Sequence, residues 1–246
     1  MSDSESQPVW IDVFNINSIH SIASENPHEY LLTRNFSVQF WEKLFFDSFF
    51  TLPHGNFILI PNPILRFCID ISQDQSRHKK LKRFRITFSF RINYDFESSL
   101  RAVADYHSQT STWLDEACIR NILDLQKSSK IQFFSFEVFD NQTGELAAVS
   151  VGFACGSNFH DITAATFHRD KRSLGKLVLH LQGEILSKCG FRLWYLGFKI
   201  SYMEEIVGGF EISRDEFFDK WMTNRNHSLS SITQLESYQG IADILI

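Results

Sequence analysis

Apolar residues recur along the first half of the chain with two different spacings. Spacings of three and four residues predict helices, whereas strict alternation with polar residues predicts strands. The expected elements are a helix over 37–50, a strand over 57–71 interrupted by the turn Ile60-Pro-Asn-Pro63, a strand over 85–91, and helices over 95–107 and 112–126. Ser37 and Thr112 are expected to cap their helices, and Ile86 is expected on the buried face of its strand. Residues 1–30 show neither spacing, which predicts a loosely docked polar arm.

The second half of the chain has a different order of elements. It predicts strands over 131–140, 145–154 and 159–168, a helix over 173–188, a strand over 191–198 and a helix over 213–224. Asn141-Gln-Thr-Gly144 is a hairpin signal between the first two strands, and Ser173 is expected to cap the first helix. The order strand, hairpin, strand, helix, strand resembles the core of the GNAT acyltransferases.

Composition adds that the chain can form a large hydrophobic core. Of 246 residues, 43% are hydrophobic and 25 are phenylalanine, which excludes disorder over the whole length. No apolar run reaches the roughly 18–20 residues needed to span a bilayer, and the acidic start resembles neither a signal peptide nor a transit peptide. The four cysteines are far apart and never form CxxC, which predicts reduced, mostly buried thiols. We therefore expect a soluble cytoplasmic protein without membrane contact.

Positive charge is concentrated in one short segment. The formal net charge is −5, from 24 Lys+Arg against 29 Asp+Glu, yet Arg77–Arg85 contains six of the 24 basic residues. Without that segment, 18 basic residues face 29 acidic ones, a balance of −11. An acidic protein with one dense basic stretch can bind a polyanion there without binding nucleic acid over its whole surface. A solvated helix face explains the segment equally well, so both interpretations stay open.

The motifs of several enzyme classes are absent. The nine histidines form no HxxxH or HxH pair, and the chain has no GxSxG, GxxxxGK[ST] or GxGxxG sequence. The loop 169–176 does combine basic residues with a possible capping serine, which suits an anion at a helix N-terminus. An acetyl-CoA loop would read (R/Q)xxGx(G/A), whereas Leu177 replaces the last small residue and is expected to obstruct a pyrophosphate. An ordinary capped helix is the alternative.

Several motifs resemble those of aminoacyl-tRNA–protein transferases. Arg172-Ser-Leu-Gly175 and, about 20 residues later, Tyr195-Leu-Gly-Phe-Lys-Ile200 resemble the SLG loop and the Y-L-G-Y-x-I strand of the arginyl- and leucyl-transferring members. The motifs that resemble the bacterial leucyl/phenylalanyl-tRNA–protein transferases are Leu31–Ser37, Ile60–Pro63, Ser76–Arg83, Thr112-Trp113 and Gly208–Phe217. Together these motifs cover about residues 30–225 in the family's order.

The resemblance implies a fold and a reaction. The fold class is α+β, with a small N-terminal α/β domain followed by a GNAT-like (acyl-CoA N-acyltransferase-like) mixed-sheet domain. The expected divisions are an arm over 1–30, the two domains over 31–92 and 93–225, and a tail over 226–246. The reaction is transfer of an amino acid, expected to be Leu- or Phe-like, from aminoacyl-tRNA to the N-terminal amine of a protein, which marks that protein for degradation by the N-end rule.

The resemblance also implies partners and site residues. The partners are aminoacyl-tRNA and an acceptor protein or peptide. No metal or other cofactor is expected because the ester is already activated, and we expect a monomer. The residues expected to bind tRNA phosphates are Arg77, Lys79, Lys80, Lys82 and Arg83. The residues expected to bind substrate are Thr112, Trp113, Arg172, Ser173, Leu174 and Gly175, with Trp113 stacking on the terminal adenine. The expected catalytic residues are Tyr195, Gly197 and Phe198.

The departures from the family pattern leave other functions open. The leucyl/phenylalanyl group carries D-C-Q where this chain has Leu196-Gly197-Phe198, so that acid and that amide are missing. The family's glutamate in G-E-S-M-F falls near Ala164. The arginyl and bacterial leucyl groups also lack D-C-Q, so the enzyme interpretation survives. The alternatives are a CoA-dependent acetyltransferase on the same core and a non-catalytic RNA-binding relative.

Overall fold

The computed structural model describes residues 7–71, 86–110, 112–168, 173–199, 208–227 and 229. The helices in these ranges are a 3-10 turn (Ile16–Ser18), α1 (Ile19–Glu25), α2 (Val38–Phe46), α3 (Phe96–Ser108), α4 (Glu116–Leu125), α5 (Leu174–Lys188) and α6 (Arg214–Asn224). The strands are β1 (Tyr30–Thr33), β2 (Leu52–His54), β3 (Phe57–Pro61), β4 (Leu65–Asp70), β5 (Phe88–Ile92), β6 (Gln132–Asp140), β7 (Leu146–Cys155), β8 (Asn158–Thr166), β9 (Leu193–Tyr195) and β10 (Phe210–Ser213).

The strands form one small and one large sheet. The small antiparallel sheet has the order β1-β3-β2, and the large sheet has the order β10-β4-β9-β8-β7-β6-β5. All neighbours in the large sheet are antiparallel except β8 and β9, which are parallel and joined through α5. A parallel pair needs such a crossover, because the chain must return from the end of the first strand to the edge of the sheet where that strand began. The α+β class and the GNAT-like order of the second half are therefore confirmed.

Each face of the large sheet carries its own hydrophobic core. On one face α5 packs against apolar side chains of the strands, including Phe136, Phe159 and Trp194. The other face is covered by α2, α3, α4 and α6 together with the small sheet, and it buries Trp41, Phe153 and further aromatic residues. All four cysteines are free and buried in these cores, as the sequence predicts. The phenylalanine content of the chain thus fills two layers rather than one.

Three local predictions need correction. Residues 7–25 are not a loose arm, because Ile11 and Ile19 are buried in the core and α1 forms within this segment. The helix expected from Thr112 begins at Glu116, where Asp115 accepts the N–H of Cys118 as the cap. Ile86 is 80% exposed in the turn before β5. In each case neighbouring polar residues or tertiary packing override the local pattern.

Other predictions are tested only in part. Helix α5 forms where predicted, whereas α2 ends at Phe46 instead of residue 50, and Ser37 makes no capping hydrogen bond through its side chain. Strands β4 and β5, from the predicted N-terminal domain, lie in the large sheet beside strands of the second half. The domain division at residue 92 stays a prediction. The basic segment 77–83 and most of the predicted tail lie outside the described residues.

A buried carboxylate fixes the turn between β5 and α3. Glu137 of β6 is fully buried and accepts hydrogen bonds from the backbone N–H groups of Tyr94 and Asp95, at 3.0 and 3.4 Å. The hydroxyls of Ser99 and Ser135 donate to it as well, both at 2.8 Å. The positive end of the α3 dipole also favours an anion here. Glu137 therefore holds the start of α3 against the sheet.

We expect Glu137→Gln to lower the free energy of unfolding by about 2 kcal/mol. The substitution replaces one acceptor oxygen with an NH2 group, so donors that bonded to that oxygen lose their acceptor. Urea denaturation at pH 7 measures the change. The control is Glu97→Gln, which removes an exposed ion pair with Arg101 and should cost about 0.5 kcal/mol or less. Equal effects of the two substitutions would contradict a special role for Glu137.

Candidate functional site

The candidate site lies where β8 and β9 separate. These strands pair only over Asn158–His160 and Leu193–Tyr195. Beyond this point β8 continues beside β7 as far as Thr166, whereas the chain after β9 bonds to β4. The carboxyl ends of two diverging parallel strands form an opening at the sheet edge, a common location for ligands in α/β sheets.

Irregular pairing occurs on both sides of this opening. The β7–β8 register jumps between Val151↔Thr163 and Gly152↔Asp161, which leaves Ile162 as an extra residue in β8. After β9, Leu196 donates its N–H to the carbonyl of Phe67, and Phe67 donates to the carbonyl of Gly197. In this pair, too, two residues of one segment, Leu196 and Gly197, lie opposite a single residue, Phe67. Such bulges bend a strand and redirect its side chains.

The N-terminus of α5 lies at the same end of the sheet. Gly175 packs so closely on β8 that an added Cβ would lie 2.9 Å from the Thr166 hydroxyl, so a side chain there would require this hydroxyl or the helix to move. Ser173 has a left-handed backbone (φ +54) and no capping bond through its side chain, and Leu174 is buried in the core. Arg172 lies outside the described residues.

The side chain of Leu177 is 1% exposed and packs in the core between α5 and the sheet. An isobutyl group that points inward is not on the outer side of the first turn, so its position does not support the expected obstruction of a CoA pyrophosphate.

The second predicted substrate segment approaches β8 from the opposite face. The half-buried Trp113 meets the ring of Phe50 edge-on at 4.8 Å, and Phe50 lies 5.8 Å from His160. Nearby, Nε2 of His107 lies 3.1 Å from the carbonyl oxygen of Ala164 in β8. The exposed Thr112 uses its hydroxyl to accept the N–H of Leu114. Trp113 and α5 therefore lie on opposite faces of the sheet beside β8.

The predicted catalytic residues differ strongly in exposure. Phe198 is 56% exposed, and Gly197 adopts φ +83 with open space around the position of a Cβ. Tyr195 is buried, and its hydroxyl accepts a hydrogen bond of 3.1 Å from Nη1 of Arg66. Burial raises the pKa of Tyr195, with Arg66 opposing the rise. The phenol therefore faces the aromatic core rather than open solvent.

Asp161 is a site residue that the sequence did not reveal. Its Oδ1 accepts from Ser150 and Gln182, at 3.0 and 2.7 Å, and its Oδ2 accepts from Nε1 of Trp194 at 3.2 Å. Burial raises the pKa of this partly exposed carboxyl to about 6, while the three donors limit the rise. It directly follows His160, the last residue of β8 that pairs with β9, so a carboxylate with a pKa of about 6 lies where the two strands separate.

His160 and Arg66 are two further buried polar residues beside Tyr195. The His160 ring lies 4.4 Å from the Tyr195 ring, and burial together with the charge of Arg66 lowers the pKa of His160 to about 3. Arg66 lies among the apolar residues of β4, and His160 shares the inner face of β8 with the buried Asn158. A polar residue among apolar neighbours in a strand is the signal in the sequence for such positions.

Comparison with known proteins gives similarity of fold alone. No family model matches the chain, and no curated protein matches it. FemX is 9% identical with a TM-score of 0.47, over 87% of this chain and 81% of that chain. L-PGS from Bacillus licheniformis is 12% identical with a TM-score of 0.40, over 86% of this chain and 65% of that chain.

A third solved structure is the C-terminal domain (DUF2156) of a putative lysylphosphatidylglycerol synthetase from Agrobacterium fabrum. It is 12% identical with a TM-score of 0.41, over 88% of this chain and 69% of that chain. Within the described ranges, no helix is both long and apolar enough to cross a bilayer.

The lowered pKa of His160 makes a prediction about stability. The unfolded chain binds a proton at this histidine below about pH 6.5, whereas the folded protein does not, so stability falls as the pH falls through 6.5. Between pH 7 and pH 5 we expect the wild type to lose about 2 kcal/mol more than His160→Gln does. Urea denaturation of both proteins at the two pH values measures this, and parallel losses would contradict it.

Proposed function

We propose that the chain transfers an aminoacyl group from aminoacyl-tRNA to an amine at the opening between β8 and β9. The observation that carries the proposal is the separation of β8 and β9 after His160 and Tyr195, next to a carboxylate, Asp161, with a pKa of about 6. The resemblance of several motifs to those of aminoacyl-tRNA–protein transferases indicates aminoacyl-tRNA as the donor. A Leu- or Phe-like donor and an N-terminal amine as acceptor are the finer parts of the proposal.

The proposed reaction needs a neutral amine and a stabilised oxyanion. A free α-amine has a pKa of about 7.7–8.0, and a carboxylate with a pKa near 6 is a suitable proton acceptor for it. The amine nitrogen attacks the ester carbonyl, and the bond from that carbon to the ribose oxygen of the tRNA breaks. The proton passes from the amine to Asp161 and then to the departing ribose oxygen. Backbone N–H groups at the opening would stabilise the oxyanion.

Donor binding is proposed from the two flanks of the opening. The first turn of α5 has backbone N–H groups without partners within the helix, and such a turn favours a phosphate. Trp113 would stack on the terminal adenine, a contact worth about 1–3 kcal/mol. The basic residues 77–83 would bind phosphates farther along the tRNA.

A CoA-dependent acetyltransferase is the second candidate because Leu177 is buried. With that side chain in the core, the α5 N-terminus suits a pyrophosphate as well as a tRNA phosphate. The amine chemistry at Asp161 would be the same for both donors. The two candidates therefore differ only in what the α5 flank binds.

A transfer assay separates these functions. Labelled leucyl-, phenylalanyl- and arginyl-tRNA, and labelled acetyl-CoA in parallel, are offered to peptides that start with Arg, Lys, Asp or Glu. We expect label from one aminoacyl-tRNA on one class of peptide and none from acetyl-CoA. Label from acetyl-CoA alone would replace the proposal with the second candidate. Bound tRNA without transfer from any donor would indicate a non-catalytic RNA-binding protein.

Asp161→Asn tests the proton acceptor. The wild-type kcat/KM should rise with pH through about 6, since Asp161 accepts a proton only when ionised. We expect the rate of the variant to be about 10²–10⁴-fold lower, and its kcat/KM should no longer rise with pH through about 6. A pH profile with the active donor measures both effects. The control is Asp140→Asn, a buried carboxylate on β6, which β7 separates from β8, and this variant should keep the profile. An unchanged rise in Asp161→Asn would exclude this role.

A further inference from the structure

A cavity lies at the end of the β8–β9 pair that is opposite to the opening. Its volume is about 510 Å³, and small-molecule sites usually measure about 300–1,000 Å³. One wall is formed where β4 ends and where β9 and β10 begin, and the other wall is formed by the second half of α6. A ligand in this cavity would therefore connect the sheet with α6.

The backbone of both walls is fixed by hydrogen bonds. Arg192 donates its N–H to the carbonyl of Ser157 at 2.9 Å, and its own carbonyl accepts the N–H of Ile71 at 3.3 Å. On the α6 side, the carbonyl of Asn224 accepts from both the N–H and the hydroxyl of Ser157, at 3.1 and 3.2 Å. Ser157 thus holds the two walls together. The cavity is preformed, which lowers the entropy cost of binding.

Asn224 provides a polar group that the fold leaves unused. The residue is 9% exposed and lines the cavity. Within the ranges that the structure describes, its side-chain amide makes no hydrogen bond, although its backbone carbonyl does. A nearly buried amide needs partners for its N–H groups and its oxygen. In the free protein water in the cavity can supply them, and a polar ligand can replace that water.

Opposite charges line the cavity without neutralising each other. The lining has two cations and two carboxylates, which are Arg192 and Lys220, and Asp70 and Asp219. In the part of the chain that is described, neither the guanidinium of Arg192 nor the carboxylate of Asp219 has a hydrogen-bond or ion-pair partner. A balanced lining gives a singly charged ligand little net attraction. A zwitterion, in contrast, can pair with both free charges at once.

The remaining lining includes apolar surface. Leu193 is 3% exposed, and the ring of Phe210 at the start of β10 is 38% exposed. We propose that this cavity binds a free α-amino acid with an apolar side chain. Arg192 and Asn224 hold its carboxylate, Asp219 pairs with its ammonium group, and Phe210 and Leu193 contact its side chain. This inference does not depend on the proposed function.

The first arm of the test compares an amino acid with two singly charged derivatives. L-leucine, leucinamide and N-acetyl-leucine are added to the full-length protein at pH 7 and constant ionic strength. At about ten times its Kd, leucine should raise the Tm by about 3–6 °C in a saturable way, and each derivative should raise it by less than about 1 °C. If neither leucine nor phenylalanine gives a saturable rise, or if either derivative equals leucine, the inference is wrong.

The second arm locates the binding site. Arg192→Gln and Asp219→Asn remove one charge each from exposed side chains, so both variants should fold, and each should weaken leucine binding by about tenfold or more. The matched controls are Arg120→Gln on α4 and Asp105→Asn on α3, which are exposed and distant in the element order, and both should bind like the wild type. Leucine binding that survives unchanged in both cavity variants would overturn the assignment to this cavity.

Discussion

The structure depends on the single parallel pair of the large sheet. Because β8 and β9 run in the same direction, α5 must cross from the end of β8 back to the start of β9, and its N-terminus must therefore lie at their carboxyl ends. The pairing stops after three residues on each strand. Because of these two facts, the opening, the first turn of α5 and the turn at Gly197 all lie at the same end of the β8–β9 pair.

Buried charge in this protein is handled in two different ways. Glu137 and Asp161 are carboxylates that several neutral donors satisfy, so each can remain within the fold without a cation. Arg66 has aromatic faces, one phenol and two unused donors instead. The contrast is chemical, because carboxylates can collect N–H and O–H donors from the backbone and from serine. A guanidinium needs acceptors, and strands with paired carbonyls supply few of them.

Sequence periodicity predicted the elements but not the cluster of site residues. Strands β6, β7 and β8 and helix α5 have long, regular patterns, and their positions were predicted within one or two residues. Arg66 lies on β4, whereas the adjacent His160 and Asp161 lie on β8, and no sequence spacing links the two strands. Arg66 and His160 meet at Tyr195 because β4, far earlier in the chain, inserts beside β9. Such a long-range arrangement leaves no local pattern in the sequence.

The acid and amide of the D-C-Q motif are missing from this chain, yet another acid and amide lie close together in the structure. At the corresponding positions this chain has Leu196, Gly197 and Phe198, which bear neither group. Between α5 and β8, however, the amide of Gln182 donates to the carboxylate of Asp161 at 2.7 Å. Proton transfer requires an acid group of suitable pKa at the reacting atoms, and it does not matter which element supplies it. The departure from the motif is thus compatible with an active enzyme.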